Sequence, residues 1–208
     1  MNSRKGILTV VSGFAGAGKG TLMKELIKNY DNYALSVSAT SRKPRPGEQE
    51  GISYFFRTRE QFEEMIRNDE LLEHAEYVGN YYGTPRRFVR ERLDEGYDVI
   101  LEIEIQGAMQ IKKKFPDTLL LFVMPPSAAE LKKRLKGRGT ETDDVIAKRM
   151  QRAVGESEGI ENYDFIVIND DIATCTEQMH GIIQAAHFTP DRQLQFINEV
   201  RKELKEEI

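Results

Sequence analysis

A short apolar run, Ile7-Leu8-Thr9-Val10-Val11-Ser12, leads directly into Gly13-Phe14-Ala15-Gly16-Ala17-Gly18-Lys19, and this junction constrains the fold more than any other part of the chain. The run is β-branched and continuous, as a parallel strand buried on both faces requires. Thr21 to Tyr30 then carries Leu22, Leu26 and Ile27 on one face and reads as a helix. The intervening stretch satisfies the first seven of the eight positions of the phosphate-loop pattern G-x-x-x-x-G-K-[ST], in the strand-to-helix context that the pattern needs. Its glycines let successive backbone amides turn toward phosphate oxygens, and the helix N-terminus adds positive potential. Lys19 is placed to reach terminal phosphates as a point charge. The eighth position departs: Gly20 stands where a hydroxyl is expected, and Thr21 follows.

Strands and helices go on alternating after a polar interruption. Tyr33 to Val37 reads as a strand, whereas Ser41-Arg42-Lys43-Pro44-Arg45-Pro46-Gly47-Glu48 is punctuated by prolines and excludes regular helix. Residues 52 to 83 hold short strand-like pieces with one helical stretch near 59–68, as an inserted lobe would. Helix near 85–94, strand 98–103, helix near 107–114 and strand 118–123 then resume the alternation. Pro125-Pro126-Ser127 opens another helix, with Ser127 as its cap. Gly137-Arg138-Gly139-Thr140 interrupts that helix, and a long helical pattern runs from Asp143 to Glu158. A last strand, 165–168, and helical stretches at 171–187 and 191–206 complete the chain. Such alternation implies a parallel sheet covered on both faces.

Composition removes several classes of function. Of 208 residues, 30 are basic and 34 acidic, a formal charge of −4, which gives no bulk attraction to nucleic acid or an anionic membrane. A phosphorylated ligand must therefore be held by a local arginine cluster. The one cysteine, Cys175, cannot form an internal disulfide and reads as a small buried apolar residue in a reducing cytoplasm. His74, His180 and His187 show no metal-ligand spacing with it. No run reaches the roughly 18 apolar residues of a membrane span, and residues 1–6 show no signal-peptide apolar region.

Several motifs, in order from about residue 6 to residue 187, resemble those of guanylate kinase. They are Ser36-Val37-Ser38-Ala39-Thr40-Ser41-Arg42-Lys43-Pro44-Arg45-Pro46-Gly47-Glu48 with Tyr54-Phe55-Phe56, Leu72-Glu73-His74-Ala75, and Gly79-Asn80-Tyr81-Tyr82-Gly83-Thr84. Pro125-Pro126-Ser127, Gly137-Arg138-Gly139-Thr140-Glu141 and Val167-Ile168-Asn169-Asp170-Asp171 complete the set. The resemblance implies an acceptor site for GMP. Arg42 and Arg45 can fork onto phosphate oxygens, and Tyr54 and Tyr82 can donate from their phenols. Glu73 matches the family carboxylate that accepts from guanine N1–H and N2–H₂, Ser38 and Thr84 match the hydroxyls around the base, and Glu48 orients the arginines.

The resemblance also implies an ATP site made by Gly13 to Thr21, with Asn169 beside the adenine, and Arg138 and Arg149 as lid arginines acting with Lys19 on the migrating phosphoryl group. The strand run Val99-Ile100-Leu101 delivers Glu102 and Glu104, and the family commonly carries aspartate at one or both of these acidic positions. Glu102 is assigned, with Thr21, to the hydration shell of Mg²⁺, and Glu104 to the guanosine side. Lys132, Lys133, Arg134 and Lys136 read as helix-surface charge.

The expected fold is α/β, a P-loop NTPase-type parallel sheet flanked by helices, with an inserted mixed α/β GMP-binding lobe and a short lid. The core comprises 1–36, 90–136 and 151–208, the lobe about 37–89 and the lid about 137–150. The implied activity is Mg-dependent phosphoryl transfer from ATP to GMP in the cytoplasm, with small-molecule partners and no nucleic acid or membrane. The alternatives are a non-catalytic phosphopeptide-binding module of the same fold and an adenylate kinase, the latter prompted by Gly20-Thr21.

Overall fold

The computed structural model describes residues 5–137 and 142–207. Strand β1 (Leu8–Gly13) leads into helix α1 (Lys19–Asn29) and strand β2 (Tyr33–Leu35). Next come β3 (Ala39–Thr40), β4 (Phe55–Phe56), α2 (Arg59–Arg67), β5 (Leu71–Tyr77), β6 (Asn80–Pro85) and α3 (Arg86–Asp94). The alternation then runs β7 (Asp98–Glu102), α4 (Ile105–Lys114), β8 (Leu119–Met124), α5 (Ala128–Gly137), α6 (Asp143–Ser157) and β9 (Phe165–Ile168). Two helices close the chain, α7 (Ile172–Ala186) and α8 (Leu194–Glu206).

Five strands form a wholly parallel sheet in the order β2-β7-β1-β8-β9, as expected for the α/β core. Strand β1 lies at its centre, with Val10 beside Leu101 on one side and Leu120 on the other. Its burial on both faces explains the unbroken apolar run that opens the chain. The chain passes from β7 through α4 to β8, on opposite sides of β1, so a crevice opens at the carboxyl ends of these strands. The phosphate loop stands at that crevice.

Residues between β2 and α3 build a second sheet, ordered β4-β3-β6-β5, with a small core of its own around Ala39, Phe62 and Leu71. Phe62 stacks on Tyr81, with ring centroids 5.2 Å apart. Thr58 and Gln61 close a reciprocal cap at the start of α2. Helix α4 joins this lobe to the main core: Gln110 donates to the His74 carbonyl at 3.1 Å and Lys114 to that of Leu72 at 2.8 Å.

At the opposite, amino end of β7, buried Asp98 accepts from the Ile7 amide, Asn32 and Gln184 and meets the His187 ring at 2.7 Å. One carboxylate thereby ties the entry to β1, the turn before β2 and the end of α7. Ser127 caps α5 as expected, accepting from the Glu130 amide. Cys175 is buried, and that burial pushes its thiol up to about 11. Among the described residues, no helix is long and apolar enough to cross a membrane.

Candidate active site

The phosphate loop curls because its glycines, Gly13, Gly16 and Gly18, stand with positive φ where a side chain would not fit. Gly18 has φ 93° and caps α1 in the left-handed conformation, so the helix begins at Lys19, two residues before the sequence pattern places it. A methyl group on Gly18 would lie 2.5 Å from the Asn169 side-chain amide. That amide donates to the Ala17 carbonyl at 2.8 Å, and Asn169 is buried. The structure therefore gives Asn169 a supporting position beneath the loop. Arg134 of α5 completes the support, donating to the carbonyls of Asn169 at 2.9 Å and Ala17 at 3.4 Å. It is not the plain surface charge expected from the sequence. Its spacing to Glu130 signals only a helical ion pair, so nothing local marks its reach to a loop far away in sequence.

Lys19 Nζ donates to the Gly13 carbonyl at 2.7 Å, which holds the ammonium within the loop's curl. Glu102 ends β7 next to it, its Oε2 3.9 Å from where a Cβ on Gly20 would stand. The carboxylate thus occupies the ground beside the position that lacks a hydroxyl. Burial on its flanks pushes the Glu102 carboxyl up, Lys19 pulls it down, and Glu104 pushes it up further. Thr21 is exposed in the first turn of α1. An acidic oxygen beside the loop lysine, with a hydroxyl two residues after that lysine, is a hard-oxygen donor set that suits a divalent ion such as Mg²⁺.

Across the crevice, the lobe gathers the residues expected to hold the acceptor. Arg42 forms a two-pronged ion pair with Glu48, at 3.0 and 2.8 Å, and Glu48 also accepts from the Arg45 amide at 2.7 Å. Glu48 therefore folds the proline-punctuated loop and aims Arg42, while the Arg45 side chain is exposed. Arg42 in turn holds the Glu48 carboxyl below its usual range, with help from the Arg45 amide. Thr40, which the sequence did not single out, anchors this loop: its hydroxyl donates to the Tyr81 carbonyl and accepts from the Arg42 amide. Arg42 lies over the Tyr54 ring at 5.3 Å, and Tyr54 meets Tyr82 edge-on at 6.0 Å. Burial raises the Tyr54 phenol, which keeps it a donor at neutral pH. Ser38 is half-buried beside β3, its carbonyl accepting from the Phe55 amide.

Glu73 projects from β5 and is 4% exposed. Thr84 of β6 donates its hydroxyl to Glu73 Oε1 at 2.7 Å. The other oxygen, Oε2, lies 2.8 Å from where a Cβ on Gly107 would stand, so the first turn of α4 makes room for it only because residue 107 has no side chain. Burial pushes the Glu73 carboxyl up, against the Thr84 hydrogen bond and the charge of Lys114. Glu104 precedes α4 and is paired with Arg152 of α6 at 2.8 Å. Arg149, also on α6, is half-buried. Arg138 lies outside the described residues, as do Gly139, Thr140 and Glu141 of the expected lid.

A protein-family model described as guanylate kinase matches residues 5–186. The chain is 52% identical over 192 residues to the guanylate kinase of Halalkalibacterium halodurans, covering 92% of this chain and 94% of that one. It is 49% identical over 205 residues to the guanylate kinase of Bacillus cereus, covering 98% and 100%. Among solved structures, the guanylate kinase of Anaplasma phagocytophilum superposes with a TM-score of 0.76 at 31% identity, over 95% of this chain and 96% of that one.

Proposed function

This chain belongs to the guanylate kinase family, and from that premise we propose that it catalyses reversible, Mg-dependent phosphoryl transfer from ATP to GMP, giving ADP and GDP. The acceptor phosphate is already a nucleophile, so the protein's work is positioning and charge placement. The Gly13–Thr21 loop holds the ATP phosphates with its amides and Lys19, and Asn169 and Arg134 keep the loop in shape. Arg42, Arg45, Tyr54 and Tyr82 hold the GMP phosphate, with Glu48 aiming the first of them. Arg149, with Arg138, brings positive charge to the migrating group from the lid side. Glu102 and Thr21 would hold magnesium, which when bound offsets phosphate charge. Residues 37–89 act as the GMP-binding lobe and 137–150 as the lid, on a core made of the rest. A single buried cysteine, Cys175, and the phosphorylated substrates suit a cytoplasmic location.

The single observation that carries the choice of acceptor is Glu73, a buried carboxylate with one oxygen engaged by Thr84. A carboxylate accepts, and guanine offers adjacent N1–H and N2–H₂ donors. Adenine would turn an unprotonated N1 toward it, acceptor against acceptor, which speaks against an adenylate kinase. A retained Lys19 and Arg149 speak against a non-catalytic phosphopeptide-binding module. A coupled ADP-release assay with ATP, magnesium and either GMP or AMP tests the reading. Turnover with GMP, and a kcat/KM for AMP lower by roughly a thousandfold, is expected. No turnover, or equal use of both acceptors, would reject it.

A further inference from the structure

Arg152 belongs to none of the motifs above, yet one side chain here touches three parts of the molecule. A terminal guanidinium nitrogen donates to Glu104 at the head of α4, at 2.8 Å. Its Nε donates to Glu156, one turn along α6, at 2.6 Å. The guanidinium carbon stands 4.4 Å from the centroid of the Tyr77 ring, at the tip of the β5–β6 hairpin. Guanidinium donors thus serve two carboxylates while the central carbon lies over an aromatic ring, a combination that an ammonium group cannot reproduce. Glu104 belongs to the core, Glu156 to the end of α6 beyond the lid segment, and Tyr77 to the acceptor lobe. Both carboxylates lie near the transfer site: Glu104 acts on Glu102, and Lys19 acts on Glu156.

We propose that Arg152 is a positioning residue for the acceptor site, docking the tip of the acceptor lobe against α6 and holding the Glu104 carboxylate in place. The role rests on the acceptor-lobe reading given above. Without this cation, the lobe tip loses its contact with α6, and Glu104 and Glu156 face an incoming phosphate with no positive charge between them. The loss therefore falls on capture of GMP and leaves the transfer step and the ATP site largely alone.

Steady-state kinetics and calorimetric GMP binding in the absence of ATP, on the full chain, test this with Arg152→Ala, Arg152→Lys, Tyr77→Leu and Tyr77→Phe. Arg152→Ala should raise KM and Kd for GMP about tenfold, the sum of one cation–π contact and one ion pair. Its kcat should stay within about threefold, and KM for ATP should not move. Arg152→Lys should recover only part of the loss. Tyr77→Leu should weaken GMP more than Tyr77→Phe, by about threefold, and the Arg152→Ala/Tyr77→Leu pair should lose less than the product of its single effects. An unmoved KM for GMP in Arg152→Ala, a loss confined to kcat, or simple multiplication in the double variant would each overturn the role. Should Arg152→Ala fail to fold, Tyr77→Leu against Tyr77→Phe decides alone. If wild type itself does not phosphorylate GMP, the functional reading fails. If wild type is active and the Arg152 and Tyr77 variants match it, only the Arg152 role fails.

Discussion

Burial raises the Glu73 carboxyl, so the folded chain holds that proton more tightly than the unfolded chain does. The sign follows directly. Above the raised pKa, ionising Glu73 costs stability, and the cost is relieved as pH falls through it. Glu73→Gln keeps an oxygen for Thr84 and removes the charge, so the free protein should melt a few degrees higher than wild type near pH 8, with the gap closing toward pH 4. The same substitution should weaken GMP sharply and narrow the GMP-to-AMP ratio of kcat/KM, which paired melts and kinetics would reveal together. A ratio that did not move would take Glu73 out of base reading. Other residues divide by the step they serve. Arg45→Ala should raise KM for GMP, whereas Arg149→Ala should lower kcat, each about tenfold or more, because the proposed mechanism puts one on the acceptor phosphate and the other on the migrating group. Steady-state kinetics on the pair checks the division, and an unchanged kcat in Arg149→Ala would reject its lid role.

Helix α4 shows how an element can be shaped around a residue it does not own. Gly107 lies in its first turn, where alanine would favour the helix by up to about 1 kcal/mol, yet a Cβ there would press on Glu73 Oε2. Gly107→Ala should therefore leave the melting temperature unchanged or slightly higher while raising KM for GMP by tenfold to about a hundredfold, the cost of displacing a recognition group by a fraction of an ångström or more. A variant with normal GMP kinetics would show that the carboxylate has room to move. The contrast marks what a sequence can display. Strand β1, the glycine loop and α1 were legible because their chemistry is local, with apolar periodicity on either side of a contiguous motif. The Arg42–Glu48 pairing was half legible, since six positions separate the partners within one loop. Arg134 on Ala17, Arg152 on Tyr77 and Gly107 against Glu73 were not, because each acquires its meaning only when the sheet order brings distant segments together.

Asp98 and the phosphate loop sit at opposite ends of the same sheet, and that separation lets stability and catalysis be disturbed independently. Asp98→Ala would leave the Ile7 amide, Asn32, Gln184 and His187 without their shared acceptor. A loss of about 3 kcal/mol is expected, or roughly 6–12 °C in Tm, with kcat at low temperature near wild type. A large fall in kcat for protein that remains folded would contradict that independence. The two hydrophobic clusters differ as much in depth. The main one draws on every strand of the parallel sheet, whereas the lobe's own cluster among the described residues comprises three buried apolar side chains, Ala39, Phe62 and Leu71. Amide hydrogens of residues 39–85 should accordingly exchange through an opening of lower free energy than those of β1 and β8, and saturating GMP should slow exchange in the lobe far more than in the core. Equal protection in both regions of the free protein would refute this. Proteases act on the same openings, so a chain short of GMP should be clipped first in its acceptor lobe. The supply of acceptor then sets how long the molecule lasts as well as how fast it turns over.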